Sequence, residues 1–87
     1  MKYLRMKPGL VLRTEEDGAF LFDPLDDILV CVNETGLEVV RSLEEGRSMD
    51  QIIERLTDLY PDIERESLIA DVDSFVQKLV ERGLAES

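Results

Sequence analysis

The chain has 87 residues and a mass of 9.9 kDa, which allows one small domain with one modest hydrophobic core. Its 20 acidic and 10 basic residues give a net charge of −10, which argues against a protein whose main function is to bind phosphates. A single cysteine and the absence of histidine exclude an intramolecular disulfide and the usual zinc sites. The sequence contains no apolar run of signal-peptide or membrane-spanning length, so a cytoplasmic location is expected.

The first third of the sequence predicts three β-strands. Residues 10–23 predict a hairpin, because the turn dipeptide Asp17-Gly18 separates two apolar runs. Residues 27–32 predict the third strand, which is apolar at both alternating sets of positions and therefore requires cover on both faces. Three short strands provide no second sheet for that cover. Residues 1–7 are expected to form a flexible N-terminal segment.

Capping residues and apolar spacing predict the first two helices. Asn33 is expected to cap helix 1, which extends to about Glu45 and is ended by Gly46. Ser48 and Gln51 form a capping box, in which the two side chains satisfy backbone amides at the start of helix 2. Apolar residues at helical spacing then continue through helix 2.

Helix 3 is predicted to begin between residues 62 and 67 and to end at Gly83. Its apolar stripe is wider than contact with one other helix requires, and consists of Leu68, Ile69, Val72, Phe75, Val76, Leu79 and Val80. Three strands followed by three helices, in a single domain of residues 1–87, predict an α+β fold. The expected architecture is winged helix-turn-helix-like, with a three-stranded antiparallel sheet.

The sequence lacks a recognisable set of catalytic residues. Cys31 is the only thiol, no histidine can activate it, and its apolar strand favours the interpretation of a buried small hydrophobic residue. Carboxylates that are adjacent in the sequence lie in turns or at a helix end, where they are expected to be solvated and not arranged for acid–base catalysis. The glycines are isolated and form no phosphate-binding loop. We therefore expect no enzymatic activity, no cofactor and no bound metal.

Two binding functions are compatible with the residues alone. A winged-helix fold predicts a DNA-binding transcription regulator, although the few basic residues of the helices are scattered among a larger number of acids. A strongly acidic surface also fits an adaptor that docks onto one basic protein. The composition disfavours nucleic acid and anionic membranes as partners.

Several short motifs resemble those of the PqqD-like family. Residues 29–36 read Leu-x-x-Val-Asn-Glu-Thr-Gly, and residues 43–48 read Leu-Glu-Glu-Gly-Arg-Ser. The similarity continues at Tyr60 and through residues 71–84, which read Asp-Val-x-x-Phe-Val-x-x-Leu-x-x-x-Gly-Leu. The resemblance covers about residues 8–85, in the family's order and at compatible spacing.

This resemblance implies a peptide-recognition domain for ribosomally made, post-translationally modified peptides. Members of the family have a winged-helix-like fold and no catalytic activity of their own. They bind the leader of a precursor peptide and present the peptide to a modifying enzyme, such as a radical S-adenosylmethionine (SAM) maturase or a leader peptidase. The implied partners are the leader and that enzyme, with no nucleic acid or membrane, and the protein is expected to be a monomer or a homodimer.

The resemblance also implies where the peptide binds, as an extra strand beside the third strand in a groove walled by helix 3. The alternative is that the hairpin and helix 3 simply bury the same apolar residues. From the third strand and from the flank of helix 3 beside Leu68, Phe75 and Leu79, the predicted peptide-binding residues are Ile28, Leu29, Val30, Cys31, Ile69, Val72, Asp73, Val76 and Val80. Asp73 is either a partner for a basic leader residue or a solvated carboxylate.

Overall fold

The predicted order of three strands followed by three helices is confirmed in a computed structural model that describes residues 4–16 and 18–86. The turn residue Asp17 and residues 1–3 of the expected flexible segment lie outside the described residues. The elements in chain order are β1 (Arg5–Met6), β2 (Val11–Glu15), β3 (Gly18–Asp23), β4 (Ile28–Val32), α1 (Glu34–Glu44), α2 (Met49–Leu59), α3 (Arg65–Glu81) and β5 (Ala85–Glu86).

The strands β2, β3 and β4 form an antiparallel sheet in that order, so β4 lies at one edge. Side chains along β3 and β4 point alternately to the two faces of the sheet. The inner face is buried and includes Leu21 opposite Val30. The outer face carries Phe22 opposite Leu29, whose side chain is 55% exposed. Among the described residues, therefore, only the inner face of the sheet is covered.

Local hydrogen bonds begin and end α1 and α2 as their sequences predict. The Asn33 side chain accepts a hydrogen bond of 2.8 Å from the Gly36 amide, and Ser48 and Gln51 form the predicted capping box. After α1, the amides of Gly46 and Arg47 donate back to carbonyls of its last turn, which is a Schellman motif. The short α1–α2 connection is thus fixed at both ends.

The helix α3 begins within its predicted window but has no side-chain cap at Glu64. At its C-terminal end, backbone carbonyls of the last turn do have partners. The Gly83 amide donates to the Val80 carbonyl, and the Leu84 amide donates to the Leu79 carbonyl. The core lies between the inner face of the sheet and the three helices. Its fully buried side chains include Leu21, Val30, Val39, Val40, Ile52, Leu56, Leu68, Val72, Leu79 and Leu84.

A second, two-stranded sheet joins the ends of the described chain. Residues 5 and 6 in β1 pair antiparallel with residues 86 and 85 in β5, and the Lys7 amide donates to the Leu84 carbonyl. The side chain of Leu4 is buried in the core. Part of the segment expected to be flexible is therefore paired and packed in the structure.

Lys7 also connects this N-terminal segment to the turn between β3 and β4. Its ammonium group donates to Asp23, whose side chain is buried, and to Asp26 at 2.8 Å. Asp23 also accepts from the Leu25 amide at 3.0 Å. The Lys7 ammonium and the backbone amides of the turn hold the pKa of Asp23 below its usual value, against the effect of burial. The same carboxylates raise the pKa of Lys7.

Candidate functional site

The free edge of β4 faces a gap beside α3. Among the described residues, no strand pairs with the edge of β4 that points away from β3. No Cα atom of β4 lies within 8 Å of a Cα atom of α3. Paired strands lie about 4.8 Å apart, so a strand added along this edge would lie between β4 and α3. An edge strand also presents unpaired backbone amides and carbonyls, which are ready to pair with an extended chain.

The gap is part of an open cleft of about 1060 Å³, which we call the groove. One side is formed by the adjoining ends of the sheet and α1, and the other by α3. The helix contributes one face at spacings of three and four residues, consisting of Asp71, Val72, Ser74, Phe75 and Lys78. The sheet, the turn before β3 and α1 contribute Glu15, Glu16, Gly18, Ala19, Phe20, Cys31, Val32, Asn33, Thr35, Gly36 and Val39.

Two glycines allow the elements around the groove to approach closely. A Cβ atom on Gly18 would lie 2.7 Å from the Val32 carbonyl oxygen, and the φ of Gly18 is +145°. A Cβ atom on Gly36 would lie 2.9 Å from Val32 Cγ1 and 3.3 Å from Phe75 Cε1. Gly36 therefore determines how closely the Phe75 ring can pack against the first turn of α1.

The charges of the groove are mainly negative. Its lining contains three carboxylates, from Glu15, Glu16 and Asp71, and one ammonium group, from Lys78. Glu15 pairs with Arg13 at 3.3 Å, whereas Glu16, Asp71 and Lys78 form no ion pair with any residue in the described part of the chain. The groove thus combines apolar walls with carboxylates that are available to a ligand.

The four predicted residues of β4 occupy different environments. Val30 is buried on the inner face, Ile28 is half-buried, and Leu29 and Cys31 are exposed on the outer face. The interpretation of Cys31 as a buried residue was wrong, because no described element covers the outer face. Cys31 instead lines the groove, and the backbone of all four residues belongs to the strand at the free edge.

Of the five residues predicted on helix 3, only Val72 lies at the groove, and its side chain is fully buried in the wall. Ile69 and Val76 are half-buried against the core, and Asp73 is exposed. Val80 is 44% exposed and lines a separate cleft beside β1 and β5. A direct contact of these four side chains with a peptide in the groove stays a prediction.

The structure also brings residues to the groove that were not among the predicted site residues. Phe75 was assigned to the core line of helix 3, yet its half-buried ring lines the groove. Asp71 and Lys78 lie one turn before and one turn after it on the same face of α3. Their spacing was visible in the sequence, but a charged residue beside an apolar stripe does not by itself indicate a site.

Within residues 4–16 and 18–86, no three or more cysteine or acidic side chains are grouped so that they could hold a metal ion. None of the helices in the described ranges is long and apolar enough to cross a membrane.

A free sheet edge that faces a helix across an open groove defines a domain able to accept an extended chain. The chain belongs to the family described as coenzyme PQQ synthesis protein D (PqqD), which matches residues 18–85. No curated protein sequence matches the chain.

Two solved structures share this architecture over nearly the whole length of both chains. One is TbiB1 in complex with the TbiA(beta) leader peptide, with a TM-score of 0.82, 19% identity and coverage of 95% of each chain. The other is lasso peptide synthetase B1 complexed with the leader peptide, with a TM-score of 0.77, 27% identity and coverage of 97% of this chain and 98% of that chain. Their similarity confirms the α+β fold.

Proposed function

We propose that this protein is a non-catalytic peptide chaperone that binds the leader of a ribosomally made precursor peptide and presents the peptide to a modifying enzyme. The observation that carries the proposal is the free edge of β4, which faces α3 across an open groove. Membership of the PqqD family supports it. So do the two similar structures, each of which contains a leader peptide.

Binding occurs by strand addition along β4. Main-chain hydrogen bonds to the outward amides and carbonyls of β4 supply affinity that does not depend on the peptide sequence. Alternate side chains of the added strand point to opposite faces of the sheet. One set faces Phe75 on α3, and the other set lies beside Cys31 and Phe20. Selectivity comes from these side-chain contacts.

Chemistry on the peptide is the task of a partner enzyme, either a radical SAM maturase or a leader peptidase. Holding the leader in the groove fixes one part of the precursor and leaves the remainder free to enter the enzyme's active site. This arrangement raises the effective concentration of substrate at that enzyme. The free edge of β4 can also pair with a second copy of the chain, so both the monomer and the homodimer remain predictions.

An NMR titration of the isotopically labelled protein tests the proposal. The ligands are synthetic peptides that span the leader segments of precursor peptides encoded near its gene. We expect amide shifts concentrated in β4 and on the face of α3 that carries Val72 and Phe75. Absence of shifts with every leader peptide would contradict the proposed function.

A duplex DNA oligonucleotide serves as the control ligand in the same titration. The net charge of −10 predicts no shifts at moderate salt, because few lysines and arginines are available to neutralise phosphates. Shifts in α2 or α3 on addition of DNA, together with none from the peptides, would favour a transcription regulator instead.

A further inference from the structure

The charges of the groove indicate which peptides it selects. We propose that the groove favours a segment that combines an apolar side chain with a lysine or arginine, and that Glu16 and Asp71 recognise the basic group. This inference rests on the proposed function, since it names the chemistry of the peptide that occupies the same groove.

The first step of the argument is the arrangement of side chains on α3. Asp71 and Lys78 lie on the groove-lining face with Phe75 between them. Their spacing of seven positions corresponds to about 10 Å along the helix axis. Phe75 forms the accessible apolar part of this wall, since Val72 is fully buried. A peptide side chain that packs on Phe75 therefore has a carboxylate one helical turn away on one side and an ammonium group on the other.

The second step is the opposite wall. Gly18 packs against the carbonyl group of Val32, the last residue of β4. Glu16 precedes Gly18 by two residues, so it lies near the C-terminal end of β4. This end of β4 leads directly into α1, whose Gly36 packs near Phe75. Carboxylates from two separate elements thus line the groove, and Lys78 is its only cationic lining residue in the described ranges.

The third step is that these carboxylates are available. Glu16 and Asp71 are exposed and form no ion pair with another residue in the ranges 4–16 and 18–86. An ammonium or guanidinium group of a bound peptide can approach them without displacing a partner. Exposed ion pairs are individually weak, so the effect is a preference added to strand pairing and apolar contact.

Selection from a random peptide library tests this preference. A display library of random 12-residue peptides is selected on the wild-type protein and on the double variant Glu16→Gln/Asp71→Asn. Only peptides that protect Cys31, the sole cysteine of the chain, from alkylation by N-ethylmaleimide are counted as groove ligands. We expect lysine and arginine to be enriched at least about twofold among wild-type ligands and not among ligands of the double variant.

Affinity measurements on one selected peptide complete the test. The double variant should bind that peptide about three- to tenfold more weakly than the wild-type protein, and high salt should reduce the difference. The matched control Glu54→Gln/Asp58→Asn removes the same charge from exposed positions on α2 outside the groove lining, and should leave affinity nearly unchanged.

The outcomes separate this inference from the proposed function. Peptides that protect Cys31 without enrichment in basic residues would overturn the inference and leave the peptide-binding function intact. Equal weakening by the α2 control would also overturn it, since the effect would then come from net charge alone. If none of the selected peptides protects Cys31, both the inference and the proposed function would be overturned.

Discussion

Gly36 controls the shape of the groove at the scale of single residues. The variant Gly36→Ala places a Cβ atom 2.9 Å from Val32 Cγ1 and 3.3 Å from the Phe75 ring, so the Val32 side chain must shift and the Phe75 ring must move by a few tenths of an ångström. We expect peptide affinity to fall by about fivefold, because overpacking of this size costs about 1 kcal/mol or more. The helical preference of alanine over glycine, about 1 kcal/mol, should offset much of the effect on stability. Peptide titration and thermal unfolding measure the two effects.

A double-mutant cycle establishes whether this effect depends on Phe75. In a Phe75→Leu background the ring is absent, so the additional change Gly36→Ala should have little further effect on peptide affinity. If Gly36→Ala weakens binding equally in both backgrounds, contact with the Phe75 ring is not the cause.

The Lys7–Asp23 pair makes stability depend on pH at both extremes. The folded-state pKa of Asp23 is below its usual value of 3.8, so its contribution is complete above about pH 4 and is lost as pH falls through the folded-state pKa. The pKa of Lys7 is raised above 10.5, so its contribution is present below that pH and is lost as pH rises further. Urea unfolding midpoints across pH should fall at both ends.

The variant Asp23→Asn tests the acidic part of this pH dependence. It should lower the unfolding midpoint at pH 7 and flatten the loss of stability below pH 4, because the carboxylate that titrates there is removed. Asp27→Asn is the control, since Asp27 is an exposed residue of the same turn and forms no ion pair with residues 4–16 or 18–86. An identical pH profile for Asp23→Asn and the wild-type protein would contradict the assignment.

At the scale of the elements, strand addition makes a specific prediction for β4. The backbone groups of alternate residues point towards β3 or towards the groove, so Leu29 and Val30 differ in the direction of their amides. Proline at the residue whose amide points outward should weaken peptide binding by about tenfold while the domain stays folded. Proline at the other residue should break pairing with β3 and destabilise the fold. Circular dichroism and peptide titration distinguish the two variants.

The control for strand addition is alanine at the same two positions, which keeps both amides. Leu29→Ala should preserve pairing, whereas Val30→Ala removes a buried side chain and reports on the core. Equal peptide binding by both proline variants, each shown to be folded, would exclude strand addition.

The sequence predicts elements well where local chemistry determines them. Asn33, Ser48 and Gln51 cap their helices as expected, and the hairpin of residues 10–23 appears as β2 and β3. The strands β1 and β5 were not predicted, because two residues are too few to show a periodic pattern. Each forms only because the other end of the chain lies beside it, which is a tertiary effect.

The site is less predictable than the elements. The free edge of β4 was expected, but the groove-lining face of α3 is centred on Phe75 and not on the flank that contains Ile69, Val76 and Val80. The apolar stripe of this helix is wide enough to face the core and a groove at once. Only its packing against α1 and α2 decides which edge of the stripe borders the groove. The exposure of Cys31 depends in the same way on the absence of a covering layer.

At the scale of the whole molecule, the N-terminal segment is part of the fold's stability. Leu4 is buried in the core, so Leu4→Ala should lower the free energy of unfolding by about 2–4 kcal/mol. Val11→Ala removes an apolar side chain that is 51% exposed, and should change stability by less than about 0.5 kcal/mol. Urea unfolding of the two variants tests the difference, and equal effects would contradict a packed role for Leu4.

The pairing of β1 with β5 has a consequence for how the domain can be connected to other proteins. Because the two strands are antiparallel neighbours, the polypeptide enters and leaves the fold at one place. Neither strand contributes to the lining of the groove. A fusion or an insertion into a surface loop of a larger enzyme would therefore need a single point of attachment. Such a fusion or insertion leaves β4, α1 and α3 uninterrupted, so the domain can function as part of a larger protein.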